Sequence, residues 1–225
     1  MISAHGLSKR FGDILALDEI DFEVGEGEFV FLTGPSGSGK TTILRLILRE
    51  LKPDKGTISV DGHDLAKIAI GNLPKYRRAV GMVFQDFKLL ADRNVAENVA
   101  LPLQVRGSST NDISNAVKQA LEMVDLKNKS QLFPAQLSGG ELQRAAMARA
   151  IVGRPKIILA DEPTGNLDPK TAKLIVKLLR TIHSELKTTV VMATHNADIV
   201  NSLSLRVISL DGGKIIKDSP KGKYE

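Results

Sequence analysis

Short apolar runs alternate with longer amphipathic segments along most of the chain. Four of these runs have the length and apolar content of buried strands: EFVFLT (28–33), AVGMVF (79–84), KIILA (156–160) and TTVVMAT (188–194). Three other segments carry apolar residues at helical spacing: 41–51, 111–126 and 170–186. The last segment predicts an amphipathic helix with one apolar stripe, formed by Leu174, Leu178, Ile182 and Leu186. Strands that alternate with helices predict an α/β fold around a mostly parallel sheet.

The length and composition are those of a globular domain with an ordinary core. The chain has 225 residues, of which 42% are hydrophobic and 25% are charged. No apolar run approaches the roughly 18 residues that suggest a membrane span, and the first residues lack the apolar core of a signal peptide. Because the sequence contains no cysteine, it offers neither a disulfide framework nor a thiolate metal site. We expect a cytoplasmic protein.

The net charge of +5 is compatible with two kinds of anionic partner, nucleic acid and a lipid surface. The sequence has no long block of Lys or Arg, and only 4% of its residues are aromatic. A stacking platform for single strands is therefore poorly supported. We expect no nucleic-acid partner.

The segment GPSGSGKT matches the phosphate-loop motif G-x-x-x-x-G-K-[ST] and lies between a predicted strand and a predicted helix. Glycines let backbone N–H groups curl around phosphate oxygens, and the N-terminus of the following helix favours an anion. Lys40 is expected to contact the β- and γ-phosphates, and the Thr41 hydroxyl to bind Mg²⁺. The motif predicts nucleotide binding without choosing among kinases, GTPases and transport ATPases. The predicted phosphate-binding residues are Gly34, Pro35, Ser36, Gly37, Ser38, Gly39, Lys40, Thr41 and Thr42.

A pair of carboxylates, Asp161 and Glu162, follows four apolar residues in the segment IILADEPTGNLD. Adjacent residues of a strand point to opposite faces, so the two carboxylates are expected to have different roles. Asp161, at the end of a buried parallel strand, suits coordination of Mg²⁺, and Glu162 can then polarise the attacking water. The structural alternative is a pair of acids that only caps a strand end.

Two adjacent glycines stand where a helix is expected to begin, in LSGGE at 137–141. Ser138 and Glu141 fit the capping box S-x-x-E, which satisfies free N–H groups at a helix start. Capping does not explain Gly139 and Gly140, since each glycine in a helical turn costs about 1 kcal/mol relative to alanine. What offsets this cost does not lie in the segment itself.

The order of these motifs resembles that of the ATPase domain of ATP-binding cassette (ABC) proteins. In chain order they are GPSGSGKT, VFQD, LSGGE, LADEPTGNLD and ATHN, and the resemblance extends over residues 2–217. It implies a P-loop NTPase fold with a mostly parallel core sheet, an N-terminal antiparallel β region and a helical lobe. We predict a single ABC ATPase domain, 1–225, with a nucleotide-binding core of 1–85 and 156–225 and a helical lobe of 86–155 that carries LSGGE.

The resemblance also implies roles that the residue patterns do not show by themselves. It makes Gln85 a residue that contacts Mg²⁺ and senses the γ-phosphate, and it makes His195 a contact of the γ-phosphate. The ring of Phe11 is implied to stack on adenine, where family members often have tyrosine. Asp168 alone fits a helix N-cap before Pro169, and the resemblance makes it the aspartate that crosses a dimer interface.

Members of the family hydrolyse ATP with Mg²⁺, and each ATP is enclosed between two subunits. The implied catalytic residues are Lys40, Glu162 and His195. The implied Mg²⁺ ligands are Thr41, Gln85 and Asp161. The LSGGE segment of one subunit closes over the ATP held by the phosphate loop of the other, through Ser138, Gly139 and Gly140. Because the chain has one copy of each motif, the resemblance implies a head-to-tail homodimer with ATP in its interface.

The stretch GMVFQDFKLLADRNVAENVALPL (81–103) resembles the cell-division ATPases of the FtsE type within this family. Since no membrane span is predicted, the resemblance implies a membrane partner on a separate chain, an FtsX-like protein. ATP turnover on the inner face of the cell membrane would then regulate cell-wall hydrolysis. Two alternatives stay open: the ATPase of a lipoprotein-release or macrolide-type exporter, and a soluble ABC ATPase that acts on DNA or ribosomes.

Overall fold

The computed structural model describes residues 1–224, which divide into two units along the chain. The first unit consists of residues 1–77 and 189–224, and the second of residues 78–188. Glu225, the last residue of the predicted domain, lies outside the described residues. The boundaries predicted for the helical lobe, 86–155, fall within the second unit and stay a prediction.

The first part of the first unit is an antiparallel sheet followed by short helices. Strands lie in the order β2-β1-β4-β5, and β1 pairs antiparallel with both β2 and β4. The expected N-terminal antiparallel region is therefore confirmed. The helix predicted over 41–51 ends earlier, at Ile47, because Arg49 adopts a left-handed conformation with a φ of 58°. The elements are β1 (Ile2–Phe11), β2 (Ile14–Val24), β3 (Phe29–Thr33), α1 (Lys40–Ile47), β4 (Lys55–Val60), β5 (His63–Asp64) and α2 (Leu73–Arg77).

The second unit is mostly helical and contains one pair of parallel strands. Its elements are β6 (Val80–Val83), α3 (Val95–Arg106), α4 (Thr110–Met123), α5 (Gly139–Ile151), β7 (Ile157–Asp161) and α6 (Pro169–Leu186). Strands β6 and β7 run parallel, with Val83 opposite Ala160. Helix α5 is central to this unit, since it contacts α3, α4, α6 and β6. Its run of small and apolar residues from 145 to 148 is buried.

The chain then returns to the first unit with β8 (Thr189–Ala193), α7 (Ala197–Leu203), β9 (Arg206–Asp211) and β10 (Lys214–Ser219). In that unit these strands join β3 in the order β10-β9-β3-β8. Strand β3 is parallel to both neighbours and is buried along its whole length, whereas β9 and β10 form an antiparallel pair. The predicted α/β class with parallel and antiparallel strands is confirmed.

The apolar stripe predicted for α6 is mostly wrong, since Ile182 alone of its four residues is buried. The buried residues of this helix are Ala172, Ile175, Val176, Leu179 and Ile182, whereas Leu174 is 58% exposed. Residues four apart advance by more than one helical turn, so a row of them drifts by about 40° per step around the helix. A stripe spaced only by four therefore leaves the buried face, and spacings of three and four must alternate to stay on it.

No helix within residues 1–224 combines the length and the apolar character that crossing a bilayer requires.

A single buried amide, that of Asn98 on α3, organises the irregular segment 84–94. Its Oδ1 accepts a hydrogen bond from the N–H of Leu90 at 2.7 Å. Its Nδ2 donates to the carbonyls of Leu90, Arg93 and Asn94 at 3.0, 2.9 and 3.0 Å. The segment belongs to neither a helix nor a strand, so this side chain supplies partners that regular structure would otherwise provide.

Replacing this amide should destabilise the protein. We expect Asn98→Ala to lower the free energy of unfolding by about 2–3 kcal/mol, because buried backbone groups lose their partners. Urea unfolding followed by circular dichroism measures the change. Asn115→Ala, on the exposed face of α4, is the matched control and should change stability by less than about 0.5 kcal/mol. Equal effects of the two substitutions would contradict the assigned role.

Candidate functional site

The phosphate loop, residues 34–41, connects the end of β3 to the start of α1. Gly34 and Gly39 have φ angles of 137° and 108°, which L-residues rarely adopt. Both positions also lack room for a side chain. A Cβ at Gly34 would lie 2.0 Å from the carbonyl oxygen of Leu210, and one at Gly39 would lie 2.6 Å from Cδ2 of Leu17. The path of the loop thus requires glycine at both positions, independently of any ligand.

Three features of this loop fit a phosphate group. The N-cap of α1 is Gly39, so no side chain caps the first N–H groups of the helix. The Oγ of Ser38 is buried and forms no hydrogen bond with the described residues. The Nζ of Lys40 donates to the carbonyls of Gly34 and Pro35 at 2.7 and 2.9 Å, which holds the ammonium over the loop. Such a combination favours a bound anion.

His195 follows β8 in the first unit, at the same strand edge as the phosphate loop. Strands β3 and β8 are parallel neighbours, and the N–H of Thr194 donates to the carbonyl of Leu32 at 3.0 Å. Because both segments follow the carboxyl ends of these strands, they emerge side by side. His195 is exposed, and the next residue, Asn196, caps α7 by accepting from the N–H of Ile199 at 3.1 Å.

Phe11 is an exposed aromatic residue on the hairpin whose second strand contacts the phosphate loop. It ends β1 opposite Ile14, and 41% of its surface is exposed. The Nζ of Lys9 lies 5.6 Å from the centre of its ring. Farther along the same hairpin, Leu17 lies against Gly39 of the loop. A ring in this position is available for stacking, which a core residue would not be.

The two adjacent carboxylates lie at the end of β7 in the second unit. Asp161 is the last residue of the strand, and Glu162 follows with a φ of 44°. A left-handed residue other than glycine costs about 1–3 kcal/mol and is held by its surroundings. Here the carbonyl of Glu162 accepts a hydrogen bond from the N–H of Gly165 at 3.0 Å. The backbone leaves the strand at Glu162, so the alternation expected for two strand residues does not apply to this pair.

Gln85 follows β6, the parallel neighbour of β7, so it emerges at the same strand edge as Asp161. Asn166 contacts it twice: Asn166 Nδ2 donates to the carbonyl of Gln85 at 3.1 Å, and Gln85 Nε2 lies 3.5 Å from Asn166 Oδ1. Gly165 lies against the side chain of Gln85, because a Cβ there would be 2.9 Å from Nε2. The loop after β7 therefore positions Gln85.

A cavity of about 510 Å³ lies at the start of α5. Ser138, Gly139 and Gly140 line it together with residues 166–168 and the exposed side of α6. A Cβ at Gly140 would lie 2.7 Å from Cγ2 of Thr171, and one at Gly139 would lie 3.3 Å from Cδ2 of Leu167. Packing inside this chain therefore accounts for part of the requirement for glycine, which the sequence-based explanation assigned to a phosphate alone.

Glu141 fixes the start of α5. The N–H of Ser138 donates to Glu141 Oε2 at 2.9 Å, as the capping box predicts, and Lys129 Nζ lies 2.5 Å from Oε1. The hydrogen bond from Lys129, followed by that from the Ser138 N–H, lowers the pKa of Glu141 to about 2. Because the folded pKa is depressed, the stability that this carboxylate contributes is complete above its ordinary pKa of 4.5 and is lost as the pH falls toward 2.

Asp168 caps α6 and also lines the cavity. Its carboxylate accepts hydrogen bonds from the N–H groups of Lys170 and Thr171 at 3.0 and 3.1 Å. The side-chain and backbone hydrogen bonds from Thr171 are the main reason that the pKa of Asp168 is lowered. Asp168 is therefore the N-cap of α6, as its place before Pro169 suggested. Its role at a dimer interface stays a prediction.

Comparison with known proteins decides the family. The family model described as ABC transporter matches residues 17–165. The chain belongs to the ABC transporter family. The FtsE cell division ATP-binding protein of Streptococcus pneumoniae is 48% identical over 209 residues, which is 93% of this chain and 90% of that protein. The MetN methionine import ATP-binding protein of Clostridium acetobutylicum is 43% identical over 219 residues, 97% of this chain and 68% of that protein.

Solved structures point to the same family. A dimeric ATP-binding cassette, determined in a post-hydrolysis state with ADP and Pi bound, matches with a TM-score of 0.88 and 36% identity, covering 100% of both chains. The chain described here is accordingly an ATP-binding ATPase subunit of the ABC type.

The site residues predicted for this ABC ATPase fall into two sets, one in each unit. The first unit holds Phe11, residues 34–42 and His195, and the second holds Gln85, residues 138–140, Asp161, Glu162 and Asp168. Their individual roles stay predictions. Gly165 and Asn166 were not singled out from the sequence, although both lie in the segment PTGNLD. Only their contacts with Gln85, some 80 positions earlier in the chain, reveal them.

Adding a methyl group at Gly165 should impair turnover without unfolding the protein. In Gly165→Ala the new Cβ meets the far end of the Gln85 side chain, which can move at little cost in stability. We expect kcat for ATP hydrolysis to fall about tenfold to a hundredfold, because Gln85 is displaced, with an unchanged melting temperature. Gly153→Ala, where no atom lies within 4 Å of the new Cβ, is the control. Turnover equal to that of the control would show that Gly165 does not position Gln85.

Proposed function

We propose that this ABC ATPase is the motor of an FtsE-type complex, in which an FtsX-like membrane protein couples ATP hydrolysis to the regulation of cell-wall hydrolysis in division. The observation that carries the proposal is the identity to FtsE proteins, 43–48%, against 40–43% to MetN proteins. The stretch 81–103, which resembles FtsE-type ATPases in sequence, adds support. Such a subunit would work at the inner face of the cell membrane through its partner.

Nucleotide binding is assigned to the phosphate loop and to Phe11. The ammonium of Lys40 exchanges its two carbonyl partners for oxygens of the β- and γ-phosphates. The uncapped N–H groups of α1 and the Oγ of Ser38 donate to the remaining phosphate oxygens. Stacking of adenine on the exposed ring of Phe11 then fixes the other end of the nucleotide.

Thr41, Gln85 and Asp161 are proposed to hold Mg²⁺. A hydroxyl, an amide carbonyl and a carboxylate would provide the hard oxygen ligands that this cation prefers. When bound, the ion neutralises charge that develops on the phosphates.

Hydrolysis is assigned to Glu162 and His195. The carboxylate of Glu162 accepts a proton from the attacking water and so directs the oxygen at the γ-phosphorus. The imidazole of His195 donates a hydrogen bond to a γ-phosphate oxygen and stabilises the charge that builds up there. The hydrogen bond from the N–H of Gly165 to the carbonyl of Glu162 helps to hold the backbone that carries this base.

A homodimer would complete each ATP site. The chain has one phosphate loop and one LSGGE segment, and the solved cassette that it resembles is dimeric. The cavity at the start of α5 is proposed to receive the γ-phosphate bound by the other subunit, through Ser138, Gly139 and Gly140. Asp168, on the rim of the same cavity, would approach that subunit as well.

A transporter subunit is the second candidate. The 43% identity to a methionine import protein favours it. A third class, soluble ABC ATPases that act on DNA or ribosomes, would be recognised by stimulation of turnover by those ligands.

Capture of the membrane partner tests the proposal. Tagged chain isolated from native membranes after mild cross-linking should recover an FtsX-like protein that raises the ATPase rate. Leu90, an exposed residue just after Gln85, belongs to the lobe that meets the membrane subunit in this family. We expect Leu90→Glu to lose the partner and keep its basal turnover. Val105→Glu, at a more exposed apolar residue of the same unit, should behave as wild type. Recovery of a transporter or lipoprotein-release subunit instead would overturn the assignment.

The dimer is tested in a background that slows hydrolysis. We expect Glu162→Gln to form a dimer on addition of ATP, visible by size exclusion with light scattering. Adding Gly140→Asp to this background should leave nucleotide binding by the monomer intact and abolish the dimer, because the side chain blocks the approach of a phosphate. A monomeric Glu162→Gln variant at saturating ATP would refute the dimer.

A matched pair separates packing from phosphate access at Gly140. Gly140→Ala places its methyl group against Cγ2 of Thr171, and Thr171→Ser removes that atom while keeping the hydroxyl. If glycine is needed to admit a phosphate, the double variant Gly140→Ala with Thr171→Ser should form as little ATP-dependent dimer as Gly140→Ala alone. Full recovery in the double variant would assign the glycine to internal packing.

A further inference from the structure

We propose that Arg149, on α5, is a positioning residue for ATP hydrolysis: its guanidinium holds the strained turn after Gln85 and thereby sets the place of that side chain. This inference rests on the proposed role of Gln85 in the ATP site. It concerns a residue outside all the motifs, in the helix that LSGGE begins.

The turn after Gln85 has an unusual backbone. Phe87 and Lys88 are consecutive, neither is glycine, and their φ angles are 57° and 49°. The N–H of Lys88 donates to the carbonyl of Asp86 at 2.5 Å, which closes a three-residue turn around Phe87. L-residues disfavour this region, and two in succession keep it only when other groups hold them.

Arg149 supplies the holding contacts. Its Nη1 donates to the carbonyl of Lys88 at 2.5 Å, and its Nη2 donates to the carbonyl of Phe87 at 2.8 Å. The planar fork of a guanidinium matches two neighbouring acceptors, which a single ammonium cannot do. The guanidinium is largely removed from water, and this desolvation lowers the pKa of Arg149.

Gln85 is therefore fixed from two directions within the second unit. Asn166, in the loop after β7, donates to the carbonyl of Gln85, and Arg149 donates to the carbonyls of Phe87 and Lys88. Lys88 also lies over the ring of Phe84, 4.8 Å from its centre, on the other side of Gln85 in sequence. With the turn released, the side chain of Gln85 would lose its defined place.

The position of Arg149 also links Gln85 to the LSGGE segment. Helix α5 begins at Gly139 and is continuous through Arg149, a rise of about 15 Å along its axis. A displacement of the start of α5 on dimer closure would therefore move the guanidinium and the turn with it. Arg149 thus connects the segment proposed to receive one ATP with a residue proposed to sense another.

The test combines a loss with a specific rescue. We expect Arg149→Ala and Arg149→Lys to lower kcat about tenfold or more, since hydrogen bonds from a charged group are lost, while ATP affinity and KM change little. Amide hydrogen exchange of a peptide covering 84–90 should speed up in both variants. Lys88→Gly, which adopts a positive φ without strain, should restore kcat and protection at least in part in the Arg149→Ala background.

The controls distinguish failure of this inference from failure of the proposed function. Arg180→Ala, on the exposed face of α6, should match wild type in kcat and exchange. If Gln85→Ala leaves turnover intact, the role proposed for Gln85 is wrong. Amide exchange at 84–90 then still shows whether Arg149 holds the turn. If Gln85→Ala lowers turnover while Arg149→Ala does not, the inference is overturned. The inference would also be overturned if Arg149→Ala lowered the melting temperature and Lys88→Gly restored neither kcat nor protection. Arg149 would then contribute only to the general stability of the protein.

Discussion

Parallel pairing of strands is the constraint on which the candidate site depends. A strand can be parallel to its neighbour only if both carboxyl ends reach the same edge, so the loops that follow them are brought together whatever their spacing in sequence. In the first unit this applies to β3 and β8, which place the phosphate loop beside His195. In the second unit it applies to β6 and β7, which place Gln85 beside Asp161. Each set of polar residues is thus held by a buried apolar strand pair.

Glycine serves two purposes in these loops, and the structure separates them. At Gly39 and Gly34 the backbone conformation and the neighbouring chain leave no room for a side chain even without a ligand. At Gly140 the φ is ordinary and the nearest obstacle is one methyl group of Thr171. A motif records only that glycine is present, and coordinates are needed to say whether the fold or a ligand requires it.

Much of the fold could be predicted because its signals are local. Buried strands such as β3 and β7 appear as apolar runs in the sequence. The phosphate loop can be recognised from its motif together with the strand before it and the helix after it. The capping of α5 by Glu141 was equally readable. What could not be predicted depends on contacts between distant segments. The face of α6 that is buried follows from what packs on it, and spacing alone chose the wrong leucines.

The same limit explains why Arg149 and Gly165 escaped notice. An arginine in an amphipathic helix and a glycine in a loop have ordinary structural interpretations. Their importance is seen only from their contacts, those of Arg149 with the turn after Gln85 and those of Gly165 with the side chain of Gln85.

Backbone strain at the proposed site is found in two places. Glu162, Phe87 and Lys88 are three of the ten described residues other than glycine that have a left-handed φ. Glu162 is itself assigned to the ATP site, and Phe87 and Lys88 lie two and three positions after Gln85. Glycine or asparagine would adopt these angles at a lower cost. A carboxylate at 162 cannot be exchanged for glycine if it is to accept a proton. No proposed reaction step uses the side chains of Phe87 and Lys88. Their backbone conformation is better explained by the contacts of the turn, in which Arg149 donates to both carbonyls.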